Sequence, residues 1–190
     1  MAEQTEPVTR RVALKIIKMG MDTHEVIARF EQERQALAMM DHPNIAKVFD
    51  AGATPTGRPF FVMELVRGLP ILQFCDERKL DATERLQLFV DVCAAVNHAH
   101  QKGIIHRDIK PANIMIGADD TARIMDFGIA AHAGDVPTAS YLNGTPRYMA
   151  PERLRNGAAS ERADIFSLGI VLFEMLTGRP AVIGTSAPEI

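Results

Sequence analysis

The stretch "IIHRDIKPANIMI", residues 104–116, sets a histidine, two cations, an aspartate, a proline and an asparagine between two apolar runs. Ile104-Ile105 and Ile114-Met115-Ile116 ask for burial, because apolar side chains gain by leaving water. The polar groups between them lose hydration there unless partners replace it. The flanks are expected to be short strands that hold a polar loop in place.

Upstream, "RRVALKIIK" at 10–18 is a β-branched run that predicts a strand with Lys15 in its middle. "DTHEVIARFEQERQALAMM" follows, with Asp22 and Glu25 spaced as a capping box and Val26, Ile27, Phe30, Leu37 and Met40 at helical intervals. "HPNI" ends that helix, since the residue before a proline resists the helical region. "IAKVFDAGAT" and "RPFFVMELV" predict two strands around the turn "TPTG" at 54–57.

Beyond "RGLP" the pattern becomes helical. "LDATERLQLFVDVCAAVNHAHQKG" carries Asp81 as cap, Glu84 three residues later and Gly103 as stop. "ASERADIFSLGIVLFEMLTGRP" carries Ser160 as cap, with Gly178 and Pro180 as stop. This helix is apolar nearly all round, which predicts a place inside a larger body.

The bulk numbers narrow the class. A chain of 190 residues holds one large core or two small ones, and 47% hydrophobic with 24% charged residues is ordinary for a globular protein. A net charge of −3 gives no electrostatic footprint for nucleic acid or an anionic membrane. Cys75 and Cys93 have no CxxC spacing and read as reduced, partly buried thiols. "MAEQTEPVTRR" lacks the apolar core of a signal peptide, and "SLGIVLFEML" is too short to span a bilayer and contains Glu174. A soluble, cytoplasmic protein with no membrane segment and no nucleic-acid partner is expected. His98 and His100 stand two apart on a helix and face different directions, which argues against a shared metal.

Six motifs then stand in order: the strand lysine Lys15, the helix glutamate Glu33, "HRDIKPAN", "IMDFG", "GTPRYMAPE" at 144–152 and "DIFSLG" at 164–169. In this order they closely resemble the eukaryotic-type (Hanks-type) serine/threonine protein kinase family, from about residue 10 to about 180. The resemblance implies an α+β, two-lobe protein-kinase-like fold: a β-rich lobe with one helix over residues 1–66 and a mainly helical lobe over 67–190. It implies transfer of the ATP γ-phosphoryl group to serine or threonine hydroxyls of a protein substrate, with magnesium.

The site residues follow from the same resemblance. Asp108 orients the acceptor hydroxyl and takes its proton, and Lys110 lies beside the γ-phosphate. Asn113 and Asp126 are oxygen ligands suited to magnesium. Lys15 contacts the α- and β-phosphates and is held by Glu33, with Glu31 the other helix carboxylate in reach. "VMELV" at 62–66 is similar to the hinge between lobes. The backbone of Glu64 and Val66 would receive adenine, Met63 would control the back pocket, and Ala13 and Met115 would sandwich the ring. His106 is a packing residue under Phe127, in line with Leu37, Val48 and the anchoring Asp164. Thr145 would bridge Asp108 and Lys110. Arg107 would pair with a phosphate on the activation segment at Thr138 or Ser140.

The chain departs from the family at both ends. No glycine occurs upstream of Lys15, so the glycine-rich loop over the phosphates is expected to be absent. The helices that follow "LTGRP" in the family are expected to be absent too, leaving no arginine to assign to Glu152. The "VALKII" strand and a flank of the 163–177 helix are then expected to be exposed. These departures also raise a second reading: a catalytically inactive kinase-like fragment, serving as a binding module or surviving as a gene remnant.

Overall fold

The computed structural model describes residues 2–5, 8–16, 40–127, 146–155 and 159–183. The helix predicted after residue 21 lies outside them, as does most of the segment after Phe127.

Strands β1 (Ala2–Gln4), β2 (Arg10–Ile16), β3 (Val48–Ala53) and β4 (Pro59–Glu64) form an antiparallel sheet in the order β1-β2-β4-β3. β3 and β4 join through the predicted turn. Gly57 donates its N–H to the Thr54 carbonyl at 2.8 Å and sits at φ +78, a conformation open to glycine at little cost. Val12 and Phe61 face the core, whereas Leu14 and Ile16 leave 42% and 47% of their surface in water.

A second sheet, β5-β6-β7, is built from Gly68–Pro70, Ile114–Gly117 and Ala122–Ile124. Four helices accompany it among the described residues: α1 (Ile71–Glu77), α2 (Ala82–Gln101), α3 (Pro151–Leu154) and α4 (Glu161–Thr177). Asp81 and Glu84 form the reciprocal capping box of α2, in which each side chain accepts the other's backbone N–H. Ser160 caps α4, and Gly178 ends it in the left-handed conformation.

One expectation is corrected. Ile114–Ile116 form a strand, but Ile104 and Ile105 do not. Ile104 instead donates its N–H to the Ala99 carbonyl at 3.0 Å and closes the end of α2. One flank of α4 is open to water, as expected of the 163–177 helix. Ile165, Phe166, Phe173 and Leu176 are exposed, while the polar Asp164, Ser167 and Glu174 face inward.

One buried cluster joins the two sheets and the helices, from Phe61 and Met63 through Ile114, Ile124 and Phe127 to Val171 and Met175. The segment 44–46 is stitched along β7. Ala46 N–H reaches the Ile124 carbonyl at 2.9 Å, Ile124 N–H reaches the Asn44 carbonyl at 2.8 Å, and the Asn44 amide reaches the Ala122 carbonyl at 2.8 Å. The first sheet is thereby seated on the second, above the loop 103–113. No helix among the described residues is long and apolar enough to cross a membrane.

Candidate active site

After α2 the chain turns at Gly103, φ +73, and enters the polar loop. Its anchor is Asp164, in the first turn of α4 and 1% exposed. Asp164 Oδ2 accepts the His106 N–H at 2.7 Å and Oδ1 accepts the Arg107 N–H at 2.8 Å. His100 Nε2 reaches Oδ2 at 2.8 Å. A buried carboxylate is expensive without partners, and these three groups supply them. The two backbone bonds also hold Arg107 at φ +71, a strained conformation for a residue with a side chain.

His106 is 1% exposed and stacks against Phe127 with ring centroids 4.6 Å apart, as predicted. Its Nε2 lies 3.0 Å from the Met125 carbonyl, and its Nδ1 accepts the Asp108 N–H at 3.2 Å. One nitrogen donates and the other accepts, which is the neutral tautomer protonated on Nε2. Burial holds this imidazole below its ordinary value against the pull of Asp164 and Asp108. A single packing residue thus positions the backbone of Asp108 and of the residue preceding Asp126. Val48 lines the same pocket as Met63, Asp126 and Phe127, and Leu37 lies outside the described residues.

Around Asp108 the loop converges. Lys110 Nζ stands 2.7 Å from Asp108 Oδ2. Asn113 Nδ2 donates to Asp108 Oδ2 at 3.0 Å and to its carbonyl at 2.8 Å. A 3-10 turn over Pro111–Asn113, opened by a proline that lacks the N–H such a turn cannot use, brings Asn113 back to Asp108. The Asp108 side chain keeps 46% of its surface open to solvent.

Asp126 is tied to this loop through Met125, whose N–H meets the Asn113 carbonyl at 2.9 Å. It sits at φ +66 and receives Lys15 Nζ at 2.8 Å from Oδ2. Lys15 therefore reaches across from β2 to the second sheet. Among the described residues no group of three or more His, Cys, Asp and Glu side chains forms a metal cage. Asn113 and Asp126 fit instead a hard cation that brings water and phosphate oxygens of its own.

Above the loop, Met63 is 5% exposed and pairs in register with Ala13 on one side and Val48 on the other. Ala13 and Met115 are half-buried. β4 ends at Glu64, and Leu65 to Arg67, with Val66 at the centre, carry no regular structure. Glu31, Glu33, Thr138, Ser140 and Thr145 lie outside the described residues.

Some partners escaped the sequence reading. The Lys15–Asp126 pair, the His100–Asp164 contact and the Tyr148–Glu174 bond each join residues far apart in sequence. The available signal was a polar residue inside an apolar helix, as at Asp164 and Glu174. Tyr148 donates its O–H to Glu174 Oε2 at 2.7 Å, and Ser167 Oγ donates to the Tyr148 carbonyl at 2.7 Å. Burial, followed by that carboxylate, pushes the Tyr148 hydroxyl above its ordinary value. The turn over Pro146–Tyr148 is thus fastened to α4. His98 faces the His42 ring at 5.1 Å while His100 faces Asp164, so the two histidines point to different partners.

Comparison with known proteins places this geometry. Residues 4–189 match the protein kinase domain. The serine/threonine-protein kinase PknB of Mycobacterium tuberculosis is 39% identical over 93% of this chain, and that of Mycolicibacterium smegmatis is 40% identical over the same share. The serine/threonine-protein kinase PrkC of Bacillus subtilis is 39% identical over 95% of the chain. The matched region spans 30% of the length of the two PknB proteins and 28% of PrkC. The chain belongs to the protein kinase domain family.

Proposed function

We propose that this chain carries the phosphoryl-transfer site of a serine/threonine protein kinase that uses ATP and magnesium. The observation that carries the proposal is the convergence of Asp108, Lys110 and Asn113 on one loop, tied through Met125 to the Asp126–Lys15 pair. Such transfer asks a protein mainly to hold phosphates, offset their charge and aim a hydroxyl.

Each residue then has a task. The acceptor hydroxyl of a protein serine or threonine binds at Asp108, which orients it and takes its proton. Lys110 would sit beside the γ-phosphate, and Lys15 beside the α- and β-phosphates, where Glu33 would hold it. Asn113 and Asp126 would hold magnesium, whose charge would offset that of the phosphates. Adenine lies between Ala13 and Met115, against the backbone of Glu64 and Val66, with Met63 guarding the pocket behind. The division into lobes falls at residue 66. Lys110 and the names of the relatives support serine and threonine as acceptors. Thr145 would bridge Asp108 and Lys110, and phosphate on Thr138 or Ser140 would reach Arg107 and switch the site on. A cytoplasmic setting suits the chemistry and the free thiols of Cys75 and Cys93.

The test is transfer of labelled phosphate from magnesium-ATP to the chain itself and to a generic basic protein, beside Asp108→Ala. Label that depends on Asp108 is expected. Equal label in both proteins, or none in either, would favour the catalytically inactive kinase-like module.

A further inference from the structure

The hinge is held at both ends by one hairpin. At its start Glu64 donates its N–H to the Lys47 carbonyl at 2.8 Å, and Glu64 Oε2 accepts the Lys47 N–H at 3.2 Å. The other carboxylate oxygen, Oε1, lies 3.5 Å from Arg123 Nε on β7. Arg123 is itself held. Its Nη1 and Nη2 donate to Asp119 Oδ1 and Oδ2 at 2.9 and 2.6 Å, in the turn between β6 and β7. Only a guanidinium offers a two-pronged edge to one carboxylate and a further N–H to a second.

At its far end the hinge passes into β5, where Gly68 pairs with Gly117 of β6. A Cβ on Gly68 would lie 1.8 Å from the Ile116 carbonyl oxygen. A Cβ on Gly117 would lie 2.6 Å from Asp119 Oδ1 and 2.7 Å from Arg123 Nη1. Both glycines are therefore required by the hairpin's geometry: one lets the hinge strand close onto β6, the other makes room for the Asp119–Arg123 fork.

We propose that Arg123 is a positioning residue for the nucleotide, fixing the hinge through Glu64 while the same hairpin grips the hinge at Gly68. The inference rests on the reading that adenine binds the backbone of Glu64 and Val66. With its carboxylate engaged by Arg123, Glu64 presents backbone alone to the base. The direction of that backbone depends on the ion pair before it and on the strand pairing after it. Loss of the ion pair releases one anchor and leaves the phosphate-binding residues in place.

The test titrates adenosine and a magnesium-bound, non-hydrolysable ATP analogue onto the unaltered chain, Arg123→Ala and Glu64→Gln. Adenosine probes the hinge without the phosphate subsite. Each variant is expected to bind it about five-fold more weakly, the scale of one partly exposed ion pair. The ATP KM should rise by a similar factor with kcat nearly constant, and the deficit should shrink at high salt. A merely structural role would lower kcat along with it. Unchanged affinity in Glu64→Gln overturns the inference even if Arg123→Ala fails to fold, and leaves the nucleotide reading intact. Absence of binding by the unaltered chain overturns both.

Discussion

Lys15 Nζ and Asp126 Oδ2 stand 2.8 Å apart, one on a strand of the first sheet and the other just past the end of the second. Each side chain keeps about a third of its surface in water (32% and 28%), so the pair contributes little to folding. On the function proposed above, its value is the placement of a cation and a carboxylate suited to magnesium around one set of phosphates. Lys15→Met is therefore expected to lower phosphoryl transfer by about 10²- to 10³-fold, as loss of one well-placed electrostatic group does. Stability should move by less than about 1 kcal/mol. Initial rates beside urea unfolding separate the two, and a stability loss above about 3 kcal/mol would make the pair structural instead.

Asp164 makes the opposite case, because it is 1% exposed and holds the backbone N–H groups of His106 and Arg107. Asn in its place keeps one acceptor oxygen and turns an amide N–H toward a donor. Asp164→Asn is expected to cost about 2–4 kcal/mol in chemical denaturation. Transfer should fall as well, since Arg107 at φ +71 loses what keeps it there. A change below about 1 kcal/mol would show that the loop finds its shape without this anchor.

The parts of this fold that announce themselves in sequence are those whose cause is local. Asp81 and Glu84 cap α2 by contacts three residues apart, and Gly178 ends α4 through its own backbone freedom. β5 and α1 gave no such signal. β5 is three residues ending in a proline, and α1 follows Pro70 with no side-chain cap. Burial of Ile71, Phe74 and Cys75 against the core decides that helix. In α4 the apolar pattern, running nearly all round, did not say which side faces in. Tyr148 and the loop 106–107 pull Glu174 and Asp164 inward, and the exposed apolar residues take the other side. In the site, the loop 106–113 and Asp126 were legible as motifs. The long-range contacts of Lys15, His100 and Arg123 were not, since no spacing encodes them.

Acid should loosen the junction between the sheets through His42. Its Nδ1 accepts the Asn44 N–H at 3.2 Å, which requires an unprotonated nitrogen. Burial, then the neighbouring His98, holds its pKa below the ordinary 6.5, with Asp91 opposing. In the unfolded chain His42 takes up a proton near pH 6.5, above the folded value. Stability from this group is thus complete above about pH 6.5 and is lost as pH falls toward the folded pKa. His106 shifts the same way, so the decisive quantity is a difference. His42→Asn should lessen the fall in urea midpoint between about pH 7 and pH 5, by at most one proton's worth, about 1.4 kcal/mol per pH unit. An unchanged slope would remove His42 from the acid response.

Two glycines should respond to alanine with opposite signs. At Gly68 the new Cβ would stand 1.8 Å from the Ile116 carbonyl oxygen and 2.7 Å from its carbon, both backbone atoms that cannot rotate aside. β5 must then part from β6, and Gly68→Ala is expected to cost about 2 kcal/mol or more. Because that pairing sets the far end of the hinge, adenosine affinity should fall with it. At Gly169, on the exposed side of α4, a Cβ meets nothing within 4 Å. There alanine lowers only the entropy lost on forming the helix, so Gly169→Ala should stabilise by about 0.5–1 kcal/mol and leave adenosine affinity unchanged. Thermal melts and adenosine titrations of both variants decide the matter. Equal stability of Gly68→Ala and the parent would mean that β5 has room to slide on β6, and the hinge would then be fixed from Glu64 alone.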